Sequence, residues 1–226
     1  MNIAIIVAAG SGSRFNSEQP KQFTPLLGKP VILHTLEKFE ACFDIDEIVL
    51  VLSPSGQVQF EALDHGITKL RRIALGGETR AHSVKNGLAG TNPSDTDIIA
   101  VHDGARPLVT ADEISRTIQA AAEVGAACLV SPVTDTIKEI AGERISGTVD
   151  RSRLVRALTP QAFRYSILEE AFAKADLSET VTDECFLVER LEYKYEIAAV
   201  PGSSRNIKIT HADDIRTAEA LISSCE

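Results

Sequence analysis

Three polar, glycine-bearing segments, residues 8–23, 76–83 and 102–107, each begin where an apolar strand-like run stops. The runs read NIAIIVA at 2–8, LRRIAL at 70–75 and DIIAV at 97–101, with EIVLVL at 47–52 standing between the first two. Continuous β-branched runs suit strands buried on both faces of a parallel sheet, where a one-sided antiparallel strand would alternate. Helical patterns follow from Pro30, near 55–64 and near 80–90. This alternation specifies an α/β fold, a doubly wound, mostly parallel sheet with helices on both faces. Ligands of such sheets collect beyond the carboxyl ends of the strands, so the three segments are expected to converge on one site.

The first segment, AAGSGSRFNSEQPKQF, has the composition of a polyphosphate loop. Ala8, Ala9 and Ser11 are small, and Gly10 and Gly12 let the main chain approach an anion and turn its N–H groups inward. Arg14 and Lys21 add full positive charge, and Pro20 stiffens the chain just before the lysine. Two other phosphate loops are excluded. No Lys-Ser or Lys-Thr follows a glycine, as a P-loop requires, and Arg14 and Phe15 interrupt the third-glycine pattern of a dinucleotide fingerprint.

After the strand AACLVS at 126–131 the rhythm changes. TDTIKEIAGERISGTVDR reads as strand, Gly142-centred turn, strand, and residues 133–153 form a protruding β-hairpin arm within a single domain spanning 1–226. A hairpin with so little core of its own is marginal in isolation, and a homodimer contact is the favoured use for it. Helical patterns near 164–175 and 183–191, a strand at 195–200 and a helix after Thr210 complete the chain.

A formal net charge of −9 disfavours a nucleic-acid partner, because phosphate-backbone binding needs a basic field. A small anionic substrate needs only a local cluster of cations. No apolar run approaches the roughly 20 residues of a membrane span, and the apolar start is too short for a signal peptide, so a cytoplasmic location is expected. Cys42, Cys128, Cys185 and Cys225 are scattered, with no metal or redox spacing.

The ordered succession AAGSGSR, PKQF, GGETRAHSV, VHDGARP, ALTPQAF, TDE and NIKIT resembles the 2-C-methyl-D-erythritol 4-phosphate cytidylyltransferases from Ile3 to about Leu221. The GxGxR loop is shared with the wider nucleotidyltransferase superfamily, whereas GGxxRxxSV and TPQ point to this branch and to the related ribitol-5-phosphate cytidylyltransferases. The resemblance implies a Rossmann-like mixed sheet, a homodimer built through the arm, and a magnesium-dependent reaction of CTP with methylerythritol phosphate. The alternative acceptor is ribitol 5-phosphate or another polyol phosphate.

Carried over by position, the resemblance makes Arg14 and Lys21 transition-state stabilisers and gives Arg151 and Lys208 the acceptor phosphate. Read alone, the last two are solvated charges. It assigns cytosine recognition to Gly77, Glu78 and Ser83, although Ser83 also reads as a helix N-terminal residue satisfying free N–H groups. Asp103 and Gly104 belong to the nucleotide side. For Asp103, ligation of magnesium and contact with a ribose are both open. Arg106 and Thr136 resemble residues offered to the partner subunit's acceptor site, Thr182 matches a ligand-contacting position, and Thr159, an extended residue at a strand end, is placed near the acceptor. Departures from the family pattern are Phe15 for methionine, Val155 for tryptophan, Glu78 for aspartate and TDECF for TDDAS, the last leaving the contacts of Asp183 and Glu184 undetermined. Such a reaction needs no general base, because a phosphate monoester with a second pKa of about 6 is already anionic.

Overall fold

The computed structural model describes residues 1–10, 15 and 20–224. In chain order the elements are β1 (Asn2–Ala8), β2 (Pro25–Leu26), β3 (Lys29–Pro30), α1 (Val31–Ala41), β4 (Glu47–Leu52), α2 (Pro54–Glu61), β5 (Leu70–Leu75) and α3 (Arg80–Leu88). Next come β6 (Ile98–Asp103), α4 (Ala111–Val124), β7 (Ala126–Pro132), β8 (Lys138–Ala141), β9 (Arg144–Thr148) and β10 (Val155–Arg164). The chain closes with α5 (Tyr165–Lys174), α6 (Glu184–Glu189), β11 (Ile197–Pro201) and α7 (Asp213–Ser223).

A seven-stranded sheet runs in the order β11-β7-β10-β6-β1-β4-β5. Alternate residues of β1 explain why the sheet is covered twice. Ala4, Ile6 and Ala8 face a core shared with α1, α2 and α4. Ile3 and Ile5 face the opposite core, shared with α3, α5 and α6. Both sets are fully or almost fully buried, which is why β1 reads as an unbroken apolar run.

β10 is antiparallel to both β6 and β7, whereas the pairs β1 with β4, β1 with β6, β4 with β5 and β7 with β11 are parallel. Its reversal has a positional consequence. Gln161 pairs with Val101 and Phe163 with Ile99, so the start of β10 lies at the carboxyl end of β6. Both roots of the β8–β9 hairpin, which precedes β10, therefore leave from the end of the sheet where ligands collect. Within the hairpin Ile140 pairs with Ile145 and Gly142 takes a positive φ of 61° at the turn.

Two large elements had no counterpart in the sequence reading. α4 carries a full capping box between Thr110 and Glu113 and stops at Gly125, whose φ is 107°. Pro160 disguised β10, since a proline argues against an internal strand. Thr159, expected at a strand end, lies inside β10, where its peptide bond to Pro160 is cis.

Candidate active site

The ends of β1, β5 and β6 surround a cavity of about 480 Å³. Ala8, Ala9 and Gly10 line it from the end of β1, and Lys21 and Gln22 line it from the short turn after Pro20. Gln22 Nε2 donates to the Ala8 carbonyl at 2.8 Å, tying the PKQF segment to the strand end. Ser11, Gly12 and Arg14 lie outside the described residues.

Gly77, Glu78, Arg80 and Ser83 line the opposite wall. Thr79 caps α3 by accepting from the His82 N–H. Ser83 sits one turn further in, where its hydroxyl donates to the Thr79 carbonyl at 2.9 Å and accepts from the Gly77 N–H at 3.1 Å. Its role here is to fold the loop over the helix end. The two walls approach closely at Gly76, where a Cβ would fall 2.2 Å from that of Ala9. Gly104 does not line the cavity. It packs below, its N–H bonded to the Val7 carbonyl at 2.9 Å and its carbonyl accepting from Thr35 at 3.0 Å.

Asp103 ends β6 at the cavity floor and meets three cations. Arg80 Nε lies 2.8 Å from one carboxylate oxygen, while Lys208 Nζ at 2.7 Å and Arg106 Nε at 3.6 Å face the other. Burial alone would raise the carboxyl's pKa. Arg80 and Lys208 outweigh it and hold Asp103 well below the usual carboxylate range. Lys208 arrives from far along the chain because the Ile209 N–H donates to the Ala105 carbonyl at 2.8 Å and Ile209 is buried. Arg106, expected to serve the partner subunit, is turned onto its own chain's Asp103 and donates to the Asn206 carbonyl at 2.8 Å.

Arg80 also grips Glu184, its Nη1 standing 2.7 and 2.9 Å from the two carboxylate oxygens. Burial pushes the Glu184 carboxyl up, yet both oxygens accept from a group that stays protonated, which marks the pair as ionic. For Arg80, burial is outweighed by Glu184 and Asp103, which raise its pKa further. Asp183, the neighbouring acid of TDECF, caps α6 and accepts from Gln161 Nε2 at 2.9 Å.

His102 lies buried beneath Asp103. Its Nε2 is 3.1 Å from the Arg106 carbonyl, which can only accept, so the proton sits on Nε2 and Nδ1 accepts from the Thr159 hydroxyl at 3.0 Å. The same hydroxyl accepts from the Asp103 N–H at 3.2 Å. Burial drives the imidazole's pKa down to about 3. Thr159 thus fixes the backbone of Asp103 from inside β10.

Arg151, Thr136 and Thr182 are not among the residues lining the cavity. All three are exposed, and Arg151 donates to the Thr134 carbonyl across the arm's base. A divalent cation held by the chain itself does not fit this donor set. Asp103, the candidate magnesium ligand, is engaged by three cations, and among the described residues no three His, Cys, Asp or Glu side chains are grouped to hold a metal. The oxygen ligands magnesium requires would have to come from phosphates.

Residues 2–224 match the family model for 2-C-methyl-D-erythritol 4-phosphate cytidylyltransferase. The chain belongs to that family. A relative of the same name from Syntrophus aciditrophicus is 44% identical over 225 residues, covering 97% of this chain and 95% of the relative. Another from Bacillus velezensis is 41% identical, with coverage of 97% and 95%. The crystal structure of the Francisella tularensis cytidylyltransferase superposes with a TM-score of 0.81 at 31% identity, over 97% of this chain and 98% of that one. Membership accounts for the Rossmann-like sheet and the hairpin, and it leaves Gln22, Arg80 and His102, which lie inside the segments expected to converge, and Glu184 as residues to which the sequence had assigned no individual role. Arg80 stood in plain view in GGETR. Its two partners lie 23 and 104 positions away, beyond any local pattern.

Proposed function

We infer that this cytidylyltransferase joins CTP to 2-C-methyl-D-erythritol 4-phosphate, giving 4-diphosphocytidyl-2-C-methyl-D-erythritol and pyrophosphate. An oxygen of the acceptor phosphate attacks the α-phosphorus of CTP. As that bond forms, the bond from the α-phosphorus to the bridging oxygen breaks, and the electron pair leaves with pyrophosphate. Two polyanions must be brought together and charge stabilised at the α-phosphoryl oxygens, so positioned cations matter more than proton transfer.

One juxtaposition supports this reading. Lys21 and Lys208 line a single cavity with the small residues Ala8–Gly10 on one wall and Gly77 on the other. Lys21 and Arg14 are assigned to the triphosphate, Lys208 and Arg151 to the acceptor phosphate. Gly77, Glu78 and Ser83 border the cytosine. Because Ser83 is committed to Gly77 and Thr79, recognition of the base falls to main-chain groups it holds in place. Any magnesium travels on the nucleotide's phosphates.

The acting unit in this reading is a cytoplasmic homodimer joined through residues 133–153, whose Ile140 and Ile145 are 73% and 68% exposed in the single chain. Arg151, Thr136 and Thr182 would then be completed by assembly or by the acceptor. Among the described residues no helix is long and apolar enough to cross a membrane. A pyrophosphate-release assay crossing four nucleoside triphosphates with methylerythritol phosphate and ribitol 5-phosphate tests the function. Turnover is expected with CTP and methylerythritol phosphate, and a preference for UTP, ATP or ribitol 5-phosphate would refute the assignment.

A further inference from the structure

Arg80 is shared between two carboxylates that come from separate elements. Its Nε takes one oxygen of Asp103 at 2.8 Å, and its Nη1 takes both oxygens of Glu184, which is 0% exposed. Glu184 has no other ion-pair partner among the described residues. On its far side Asp103 meets Lys208 and Arg106. Among the described residues that pair directly, three cations, Arg80, Arg106 and Lys208, thus meet two carboxylates, Asp103 and Glu184, an excess of one positive charge, and the neighbouring Asp183 and Arg156, which act on Glu184 and Arg106, add one charge of each sign.

Exposure shows where that surplus is felt. The Arg106 and Arg80 side chains are 13% and 24% exposed, Asp103 9%, and Lys208, at 36%, is the most open member of the cluster. Arg80's remaining nitrogen, Nη2, is buried and has no hydrogen-bond partner among the described residues. The guanidinium acts on the two carboxylates.

We propose that Arg80 and Glu184 are positioning residues that set the charge of the acceptor subsite, Arg80 occupying one Asp103 oxygen and neutralising Glu184 so that Lys208 presents the surplus positive charge to the incoming phosphate. The proposal rests on the reading above that Lys208 serves the acceptor. Without Arg80, Asp103 would draw Lys208 more fully to itself, and Glu184 would add an uncompensated negative group behind it. Without the charge of Glu184, the surplus grows from one to two and Arg80 turns wholly to Asp103. The two halves of one ion pair therefore have opposite effects on the acceptor. A salt bridge that merely held the fold would make both substitutions harmful alike.

The test is steady-state kinetics on the full chain carrying Arg80→Gln, Glu184→Gln or Lys208→Met, with the KM for each substrate measured separately. Arg80→Gln is expected to raise the acceptor KM about tenfold or more, the scale of one charge-assisted contact, with the CTP KM within about threefold. Glu184→Gln is expected to lower the acceptor KM. Acceptor KM values that move in the same direction in these two variants, or stay at the native value in either, overturn the proposal. If Arg80→Gln fails to fold, Glu184→Gln decides alone: a lower acceptor KM supports the proposal and an unchanged or higher one refutes it. Lys208→Met separates the two claims. A native acceptor KM there would overturn the reading and the proposal together, whereas a raised one, with the other two variants moving alike, overturns the charge-setting pair alone.

Discussion

The strand-end site and the hairpin arm rise from the same end of the sheet and are built on opposite principles. At the site, β1 and β6 are buried on both faces, and the central polar side chains have named partners: Gln22 is held by Ala8, Asp103 by three cations, His102 by Thr159 and Arg106. Along the arm nearly every residue from Lys138 to Thr148 is exposed, and the main tie is the two-stranded ladder itself. A site that acts on charge needs fixed geometry, because a displaced cation loses much of its effect. An arm that serves as a dimer contact, as proposed, needs only its ladder and an apolar patch. The contrast predicts that site substitutions change chemistry or stability, while arm substitutions change assembly.

The largest effect should come from Lys21→Ala. Removing one preorganised charge at a transition state typically costs about 3 to 4 kcal/mol, so kcat should fall roughly 100- to 1,000-fold while CTP binding measured by calorimetry persists. A variant with native turnover would break the strand-end side of the comparison. Gly76→Ala comes next. Its Cβ would fall 2.2 Å from that of Ala9, and overpacking of this kind costs about 1 to 3 kcal/mol. Urea denaturation should show the loss, together with a raised KM for CTP, because the two walls are pushed apart.

A third effect concerns pH. The unfolded His102 imidazole protonates near 6.5, whereas the folded one stays neutral down to about 3. Between those values the unfolded state binds the extra proton, so stability falls as pH falls, by up to about 1.4 kcal/mol per unit. From pH 6.5 to 5.0 His102 should account for about 2 kcal/mol of lost stability, and His102→Asn should show a correspondingly shallower decline in the same urea series. Equal slopes would show that the imidazole is not held neutral beneath Asp103. The smallest effect on the fold belongs to the arm. Ile140→Asp with Ile145→Asp should leave the unfolding free energy of the separated chain within about 0.5 kcal/mol and shift sedimentation toward monomer. A large loss of stability with no change in assembly would reverse the comparison.

The same contrast governs what could be read from residues. β1 and β4 were legible because burial on both faces leaves an unbroken apolar run, and the arm was legible from Gly142 between two polar strands. β10 was not, because Pro160 interrupts a run whose antiparallel place between β6 and β7 depends on two distant strands. At the site, Lys21 and Gly77 declared themselves through local chemistry and motif. Glu184 and His102 did not, since a buried acid and a neutral buried imidazole differ from surface ones only in partners contributed by other segments, Arg80 in one case and Thr159 with Arg106 in the other. Arg106 fell between the two cases, visible as a site residue while its own-chain partner, Asn206, was not.

The claim on which the rest depends is that the two lysines of one strand-end cavity hold the two phosphates that become joined. A crystal structure of the chain with 4-diphosphocytidyl-2-C-methyl-D-erythritol addresses it directly. The diphosphate bridge should lie within hydrogen-bond reach of Lys21 and Lys208, with the cytosine against Gly77. A product bound with its diphosphate outside that cavity, and with either lysine still turned to protein groups alone, would contradict the account.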